Sequence, residues 1–446
     1  MGPKTLRFDR GTLIFDGYDK LSPPIHNCRW DQRVGRFRAW AHTYKELLGM
    51  GDWKDETQNL LPGLHALSRP ALRPYQSDGL KSWKELGGRG IVALPTGSGK
   101  TILAVEAILS CGGPALILVP TRALLSQWRT VLKRYIVERV GIIGDGEFSL
   151  EPITVSTFEG ALRRMDQIGN RFSLLVVDEV HHFGAGVRDE ALAMCTASER
   201  LGLSATPVSP GDQAERLSRL MGPTVFSLGV SDLTGKYLAM LERSVCEVKL
   251  TPPERVRYER CLSQFKKVFV PYRCRAGPDW GEFVKWANTT EEGRRALLSY
   301  RSARQIVSYP QEKATHLAHL LTQHRESQTL IFTFDVPTAH TISREFLITP
   351  ITSHTHRSER EEVLANFRRG KLRALVSCRV LNEGLDVPDA EVAIIVGGTA
   401  QQREHVQRVG RCLRPALGKV AKLYELVVQD SLEVRQWKQR SKALAS

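Results

Sequence analysis

GIVALPTGSGKTILAVEAIL, from Gly90 to Leu109, joins three kinds of sequence without a break. The apolar run GIVA ends at Leu94 and Pro95, a glycine-rich turn carries Lys100 and Thr101, and TILAVEAIL then repeats its apolar residues with a helical period. A buried strand, a tight loop and a helix are expected in that order. Gly97, Ser98 and Gly99, after Thr96, let backbone N–H groups curl round phosphate oxygens. The helix N-terminus adds partial positive charge at the same place. Lys100 is placed to reach the β- and γ-phosphates of a nucleotide, and Thr101 to ligate Mg²⁺. The regular P-loop has a glycine six residues before the lysine; here that position is Leu94.

Outward from this stretch the same rhythm repeats. Between about residue 70 and residue 230 the strand candidates are GIVALP, ALILVP, PITVST, LLVVDE and RLGLSAT. Their nearly continuous apolar runs suit parallel strands buried on both faces, and helical stretches such as RALLSQWRTVLKRY separate them. That pattern predicts a doubly wound α/β layer. From about residue 312 it returns with TLIFTF, LRALVSC, EVAIIVG and KLYELVV. Between the two layers, Thr251-Pro-Pro-Glu254 is a capping box that opens a long helix. Val256, Cys261, Leu262, Phe265, Val268 and Phe269 approximate its apolar face, and Arg255, Arg257, Arg260, Lys266 and Lys267 decorate the rest.

Residues 1 to about 60 read as a small separate unit. LRFDRGTLIFDG alternates like a strand pair broken by Gly11 and Gly17, and CRWDQRVGRFRAWAHTYKELL mixes arginines with aromatics. ETQNLLPGLHALSRPALRP, with its three prolines, reads as a linker. The expected class is therefore α/β: two parallel-sheet domains with a small N-terminal α+β domain and a helical insert. The expected division is 1–62, 63–235, 236–310 and 311–446.

The bulk composition narrows the partners. A chain of 446 residues is too long for one core. Its net charge of +15 favours a polyanion, nucleic acid first and an anionic membrane second. No apolar run reaches the roughly 18 residues a membrane helix needs. Met1 to Arg10 is charged and has no apolar core, so no leader is expected. The eight cysteines form no C-x-x-C pair, which argues against a disulfide framework or a zinc site and suits a reducing cytoplasm. THLAHLLTQH, Thr315 to His324, lacks a cysteine or acid at zinc spacing and reads as a helix surface.

Four more motifs carry chemistry. LLVVDEVHH, Leu174 to His182, runs a buried strand into Asp178 and Glu179. Behind a P-loop, Asp178 would hold Mg²⁺ and Glu179 would polarise the attacking water, with His181 coupling the site to motion. In LSATP, Ser204 and Thr206 would bridge the acid pair to the second layer. In LRPYQ, Gln76 has the amide needed to read an adenine edge, Pro74 and Tyr75 would shape the pocket, and Arg73 is a further nucleotide-binding candidate. In QRVGRCLRP, Arg408, Arg411 and Arg414 recur at three-residue spacing behind Glu383, Gly384 and Asp386.

The order LRPYQ, TGSGKT, PTRALL, TVSTFEG, DEVH, SATP, TLIFT, NEGLDVPDA, QRVGRCLRP resembles a superfamily 2 helicase. More narrowly it resembles the XPB/Rad25 family, in the short form of archaea and some bacteria. The likeness covers nearly the whole chain. WDQRVGRFRAWAHTY resembles the family's N-terminal damage-recognition domain, and the basic helical insert resembles its thumb. The resemblance implies two RecA-like domains that clamp ATP and Mg²⁺. It assigns ATP roles to Gln76, Gly97 to Thr101, Asp178, Glu179, Gly384, Asp386, Arg411 and Arg414, the last two as arginine fingers, with Gln407 as a coupling residue. It assigns nucleic-acid contact to Thr121, Arg122, Thr154 and Thr157. Within the insert, Tyr272 is a further candidate for stacking on a base.

The implied function is an ATP-dependent DNA helicase or translocase of 3′-to-5′ polarity acting in DNA repair, beside a nuclease partner as in archaeal members. An RNA helicase and an ATP-clamped scaffold that recruits a nuclease are the alternatives. One departure bears on strand separation. The family usually carries Arg-Glu-Asp soon after SATP; this chain reads VSPGDQAERL, with Asp212 as the only remnant.

Overall fold

The computed structural model describes residues 4–21, 23–25, 28–51, 53–186, 188–208, 210–233, 237, 240–277, 279–378, 390–397 and 420–445. These form two compact units, the first running to Gly229 and the second starting at Val230.

The first unit opens with a small sheet. Its strands are β1 (Thr5–Asp9), β2 (Thr12–Asp16), β3 (Arg29–Asp31), β4 (Arg36–Trp40) and β5 (Lys54–Glu56), in the order β3-β4-β2-β1-β5. Arg10 and Gly11, both at positive φ, turn the β1–β2 hairpin. Gly11 is also required by space, since a Cβ there would lie 2.5 Å from the Met194 side chain. Leu6, Leu13, Phe15, Phe37, Tyr44 and Leu47 form this sheet's core. The proline-containing linker is strapped along the larger layer by backbone hydrogen bonds from Asn59 to Asn170, Leu61 to Arg171 and Leu64 to Gly112.

That larger layer is an eight-stranded sheet of β6 (Arg89–Ala93), β7 (Ala115–Val119), β8 (Val140–Gly144), β9 (Glu147–Ser149), β10 (Ile153–Thr157), β11 (Leu174–Val177), β12 (Glu199–Ser204) and β13 (Thr224–Ser227). The order is β13-β6-β12-β11-β7-β10-β8-β9, parallel throughout except for β9 against β8. Every residue of β7 and β11 is fully buried, as their unbroken apolar runs predict. Each such Val or Leu stabilises the sheet by roughly 1.5–3 kcal/mol. The topology matters for function because β6, β12 and β11 are neighbours. The loops leaving their carboxyl ends, which carry Lys100, Ser204 and Asp178, therefore emerge side by side.

The second unit holds a fully parallel sheet of β14 (Met240–Val248), β15 (Thr329–Thr333), β16 (Thr349–Ile351), β17 (Ala374–Cys378), β18 (Val392–Ile395) and β19 (Val420–Val428), in the order β14-β19-β18-β15-β17-β16. Both sheets confirm the α/β class. β14 falls within residues that the sequence reading grouped with the helical insert. It is an edge strand, and its mostly exposed, partly charged side chains show no apolar run.

The insert is a bundle of three helices, Pro252–Ala276, Trp280–Thr289 and Glu291–Ser308. The capping box forms, with the Thr251 amide donating to Glu254 Oε2 at 2.9 Å. Glu254 also accepts from the Gln311 amide at 3.0 Å, which ties the bundle to the helix Gln311–Gln323. Phe265, Phe269, Trp280 and Phe283 pack ring against ring at its centre. Val256, expected on the apolar face, is exposed; Tyr258, two residues on, is buried instead and accepts from the Leu432 amide at 2.9 Å. Tyr258, Cys261, Leu262, Phe265, Phe269 and Tyr272 follow the 3.6-residue stripe, and position 256 lies off it. His324 also corrects the reading of THLAHLLTQH as surface. It is buried at the end of its helix, with Nε2 2.9 Å from the Tyr424 hydroxyl. Among the described residues, no helix is long and apolar enough to cross a membrane.

Candidate active site

Gly97 and Gly99, at φ of 85° and 81°, give the P-loop its curl before the helix Lys100–Cys111 begins. These φ values favour glycine, and at Gly99 a Cβ would also stand 2.5 Å from Gln76 Nε2. Ser98 is fully buried and donates its hydroxyl to the Pro95 carbonyl at 2.7 Å. Lys100 folds back across the loop, with Nζ 3.0 Å from the Leu94 carbonyl. Thr101 stands on the first turn of the helix, and Thr96 precedes the first glycine.

Gln76 sits on the helix Pro74–Glu85, and its amide is committed to the loop. Oε1 accepts from the Arg73 amide at 2.8 Å, and Nε2 donates to the carbonyls of Ser98 at 2.8 Å and Gly99 at 3.2 Å. The Tyr75 hydroxyl donates to Ser98 as well, at 2.6 Å. LRPYQ therefore acts on the shape of the phosphate loop.

Asp178 follows β11 and is buried. Both of its carboxylate oxygens are held: Oδ2 accepts from Trp128 Nε1 at 2.9 Å, and Oδ1 from the Glu179 amide at 3.0 Å. Burial pushes this carboxyl up from the ordinary range, opposed by the indole hydrogen bond and by the charge of Lys100. Glu179 adopts the left-handed region at φ 51°, ψ 49° and caps the short helix Val180–His182. A non-glycine residue held there is strained, and such strain concentrates at functional sites. His181 Nδ1 lies 3.4 Å from Glu179 Oε2. Gln213, in the helix Asp212–Met221, donates Nε2 to the carbonyls of His181 and Phe183 at 2.9 and 2.8 Å. Beyond β12, the Ser204 hydroxyl donates to the Thr206 carbonyl at 2.6 Å, and the Leu94 amide donates to the Ser204 carbonyl at 2.9 Å. The SATP turn is thus bonded to the strand that feeds the P-loop.

The glycine cradle, the lysine, and a hydroxyl and carboxylate as hard oxygen donors fit a Mg²⁺–nucleotide. Trp128 and Gln213 were not read as site residues. Nothing local in RALLSQWRTVLKRY sets Trp128 apart from a core residue, and Gln213 lies where the family carries Arg-Glu-Asp. Gly384, Asp386, Gln407, Arg411 and Arg414 lie outside the described residues.

The expected nucleic-acid contacts divide. Thr121 caps the helix Arg122–Leu132 by accepting from the Leu124 amide at 3.3 Å. Arg122 is exposed and pairs with Asp145 at 2.6 Å. Thr157 caps the helix Phe158–Leu162. Thr154 is a correction: it is fully buried, and its hydroxyl donates to the Glu151 carbonyl at 2.7 Å. It falls early in a strand covered on both faces, where nucleic acid has no access. Tyr272 is half-buried and packs on Phe283 and Trp286 at ring separations of 5.1 and 4.8 Å. In the N-terminal sheet each arginine of the Arg33–Arg38 segment meets an acid: Arg33 with Asp31, Arg36 with Asp16, and Arg38 with Asp9 and Asp31.

A P-loop at the end of one parallel strand, with an acid pair two strands over, makes a nucleoside-triphosphatase site, and the family matches place it in the class of ATP-dependent helicases and translocases of superfamily 2. Residues 69–209 match the family described as type III restriction enzyme, res subunit, and residues 312–416 the helicase conserved C-terminal domain. Residues 6–50 match the xeroderma pigmentosum group B helicase damage recognition domain. The chain is 34% identical over 438 residues to the DNA 3′-5′ translocase XPB2 of Sulfurisphaera tokodaii, covering 96% of this chain and 98% of that one. It is 30% identical over 392 residues to the DNA 3′-5′ helicase XPB of Mycobacterium tuberculosis, covering 84% of this chain and 64% of the other. The helicase domain of Pyrococcus furiosus Hef superimposes with a TM-score of 0.54 at 17% identity, over 83% of this chain and 98% of that one, which is a likeness of fold. The chain belongs to the XPB family.

Proposed function

We propose that the chain is a DNA-dependent ATPase that moves 3′-to-5′ along DNA and serves DNA repair, nucleotide excision repair in particular. The observation that supports this best is the placement of Lys100 and Asp178 at the carboxyl ends of β6 and β11, with β12 and its SATP turn between them. The amides of Gly97 to Gly99 and the Lys100 ammonium bind the phosphates. Thr101 and Asp178 would hold Mg²⁺, which neutralises phosphate charge when bound. Glu179 orients the attacking water and takes its proton. By the family resemblance, Gly384, Asp386, Gln407, Arg411 and Arg414 would also serve ATP hydrolysis, Arg411 and Arg414 as arginine fingers that stabilise the charge developing on the γ-phosphate. Thr121, Arg122 and Thr157 take the DNA backbone, whose phosphates need no sequence reading. The exposed Arg257, Arg260, Lys266 and Lys267 on the helix Pro252–Ala276 add to that surface.

VSPGDQ in place of Arg-Glu-Asp favours a motor that translocates but separates strands poorly by itself and works beside a nuclease partner. The test is ATP hydrolysis alone, with single-stranded, duplex and forked DNA, and with matched RNA, using Lys100→Ala as control. Stimulation by DNA and little by RNA is expected. Equal stimulation by RNA would replace DNA with RNA as the track, and no stimulation by either would point to an ATP clamp that awaits a partner.

A further inference from the structure

The acid at the end of β11 is gripped by a residue from a different element. Trp128 is 1% exposed, and its indole N–H donates to Asp178 Oδ2 at 2.9 Å across 50 residues of sequence. The Glu179 amide takes the other oxygen, so the carboxylate is fixed in rotation by two donors, only one of which is a side chain. Trp128 lies on the helix Arg122–Leu132, which packs Leu125, Trp128 and Leu132 inward. The first turn of that helix holds Thr121 and Arg122, and Arg122 reaches out to Asp145 in the turn after β8. Seven residues of helix, about 10 Å, separate Thr121 from Trp128. A second link runs through the sheet, because the Asp178 amide donates to the Leu118 carbonyl of β7, the strand that leads into Thr121.

We propose that Trp128 is a positioning residue that sets the Asp178 carboxylate for the divalent cation and transmits nucleic-acid contact at Thr121 and Arg122 to it. This rests on the DNA-dependent ATPase reading above. A small shift of the helix start moves the indole, and the indole moves the oxygen it holds. An indole suits the task because it is donor only and buried, so it offers no competing acceptor and no competing water.

The test uses the full-length chain and Trp128→Phe, which keeps a ring in the core and removes the N–H. A fluorescent ADP analogue is titrated with Mg²⁺ and with EDTA, each with and without single-stranded DNA. In the unmodified protein Mg²⁺ is expected to tighten the analogue, and DNA to alter that Mg²⁺-dependent gain. In Trp128→Phe the gain is expected to fall about tenfold and to stop responding to DNA, with affinity in EDTA unchanged. A tenfold change corresponds to about 1.4 kcal/mol, the size of one hydrogen bond to a charged group. An equal loss in Mg²⁺ and EDTA would mean simple damage to the fold and would overturn the proposal. So would an unchanged gain that still responds to DNA. The ATPase reading fails separately, if the unmodified protein does not bind the analogue or DNA does not stimulate its hydrolysis of ATP.

Discussion

Gln76 Nε2 lies 2.8 Å from the carbonyl oxygen of Ser98, so the phosphate loop is braced from a helix that precedes it in the chain. The same amide accepts from Arg73 and donates to Gly99, leaving the side chain no rotational freedom. Gln76→Ala removes the brace and lets the loop sample shapes that bind phosphate poorly. An increase in KM for ATP of about tenfold, with a smaller fall in kcat, is expected from losing the two buried hydrogen bonds to the loop. Gln76→Glu should be worse, because a carboxylate would face two carbonyl oxygens. Steady-state kinetics of both variants check this, and equal KM values in all three proteins would refute it.

Glu179 and Asp178 are adjacent but held differently, which predicts separable losses. Asp178 is buried and bonded twice, whereas Glu179 stands in a strained left-handed conformation beside His181. Glu179→Gln keeps the size and should keep nucleotide affinity, with hydrolysis reduced about 10²–10⁴-fold through loss of the base. Asp178→Asn should weaken Mg²⁺-dependent nucleotide affinity as well. Equilibrium binding beside single-turnover hydrolysis separates the two.

Much of this was legible because parallel strands buried on both faces write themselves as apolar runs. β6, β7, β10, β11 and β12 were each visible that way, and the loops at their ends held the chemistry. β14 was not, because an edge strand has no need of an apolar run and its nine residues carry Glu242, Arg243 and Glu247. Thr154 misled because its motif is also a strand, and only the register shows which hydroxyls reach the end: Thr157 does and Thr154 does not. The indole of Trp128 and the amide of Gln213 escaped for a different reason. Their partners lie 50 and about 30 residues away, and no local periodicity encodes a contact made across a sheet.

His42 gives the first unit a pH dependence. It lies in the N-terminal module beside the backbone of Ala193, and burial, with Arg200 and Arg89 nearby, lowers it from 6.5 to about 4. The unfolded chain binds this proton below pH 6.5 and the folded chain does not. The contribution of His42 is therefore whole above pH 6.5 and is lost as pH falls toward 4, by up to about 3 kcal/mol. His42→Gln should flatten that part of the stability curve. Denaturant midpoints of both proteins between pH 7 and 4.5 check it, and parallel curves would exclude His42 as the source.

Arg200 predicts the largest single loss of stability in that unit. It is fully buried, and in place of a carboxylate its guanidinium donates to four backbone carbonyls: Ala197 and Leu192 at 3.0 Å, Leu220 at 2.8 Å, and Cys195. These carbonyls close the ends of the helices Glu190–Ala193 and Asp212–Met221, the latter being the helix that presents Gln213 to the His181 carbonyl. Burial lowers the guanidinium to about 10, which still leaves it charged at neutral pH. Arg200→Met fills similar volume and removes the donor from all four carbonyls, of which Leu192 keeps its backbone amide partners. Each unpaired buried carbonyl costs about 1 kcal/mol or more, so a loss of about 3–5 kcal/mol is expected. For a unit of this size that lowers Tm by about 6–20 °C. Arg200→Lys, with three donors on one point, should fall between. Calorimetry of the three proteins decides it: a Met variant as stable as the parent would show that the guanidinium contributes nothing beyond its volume.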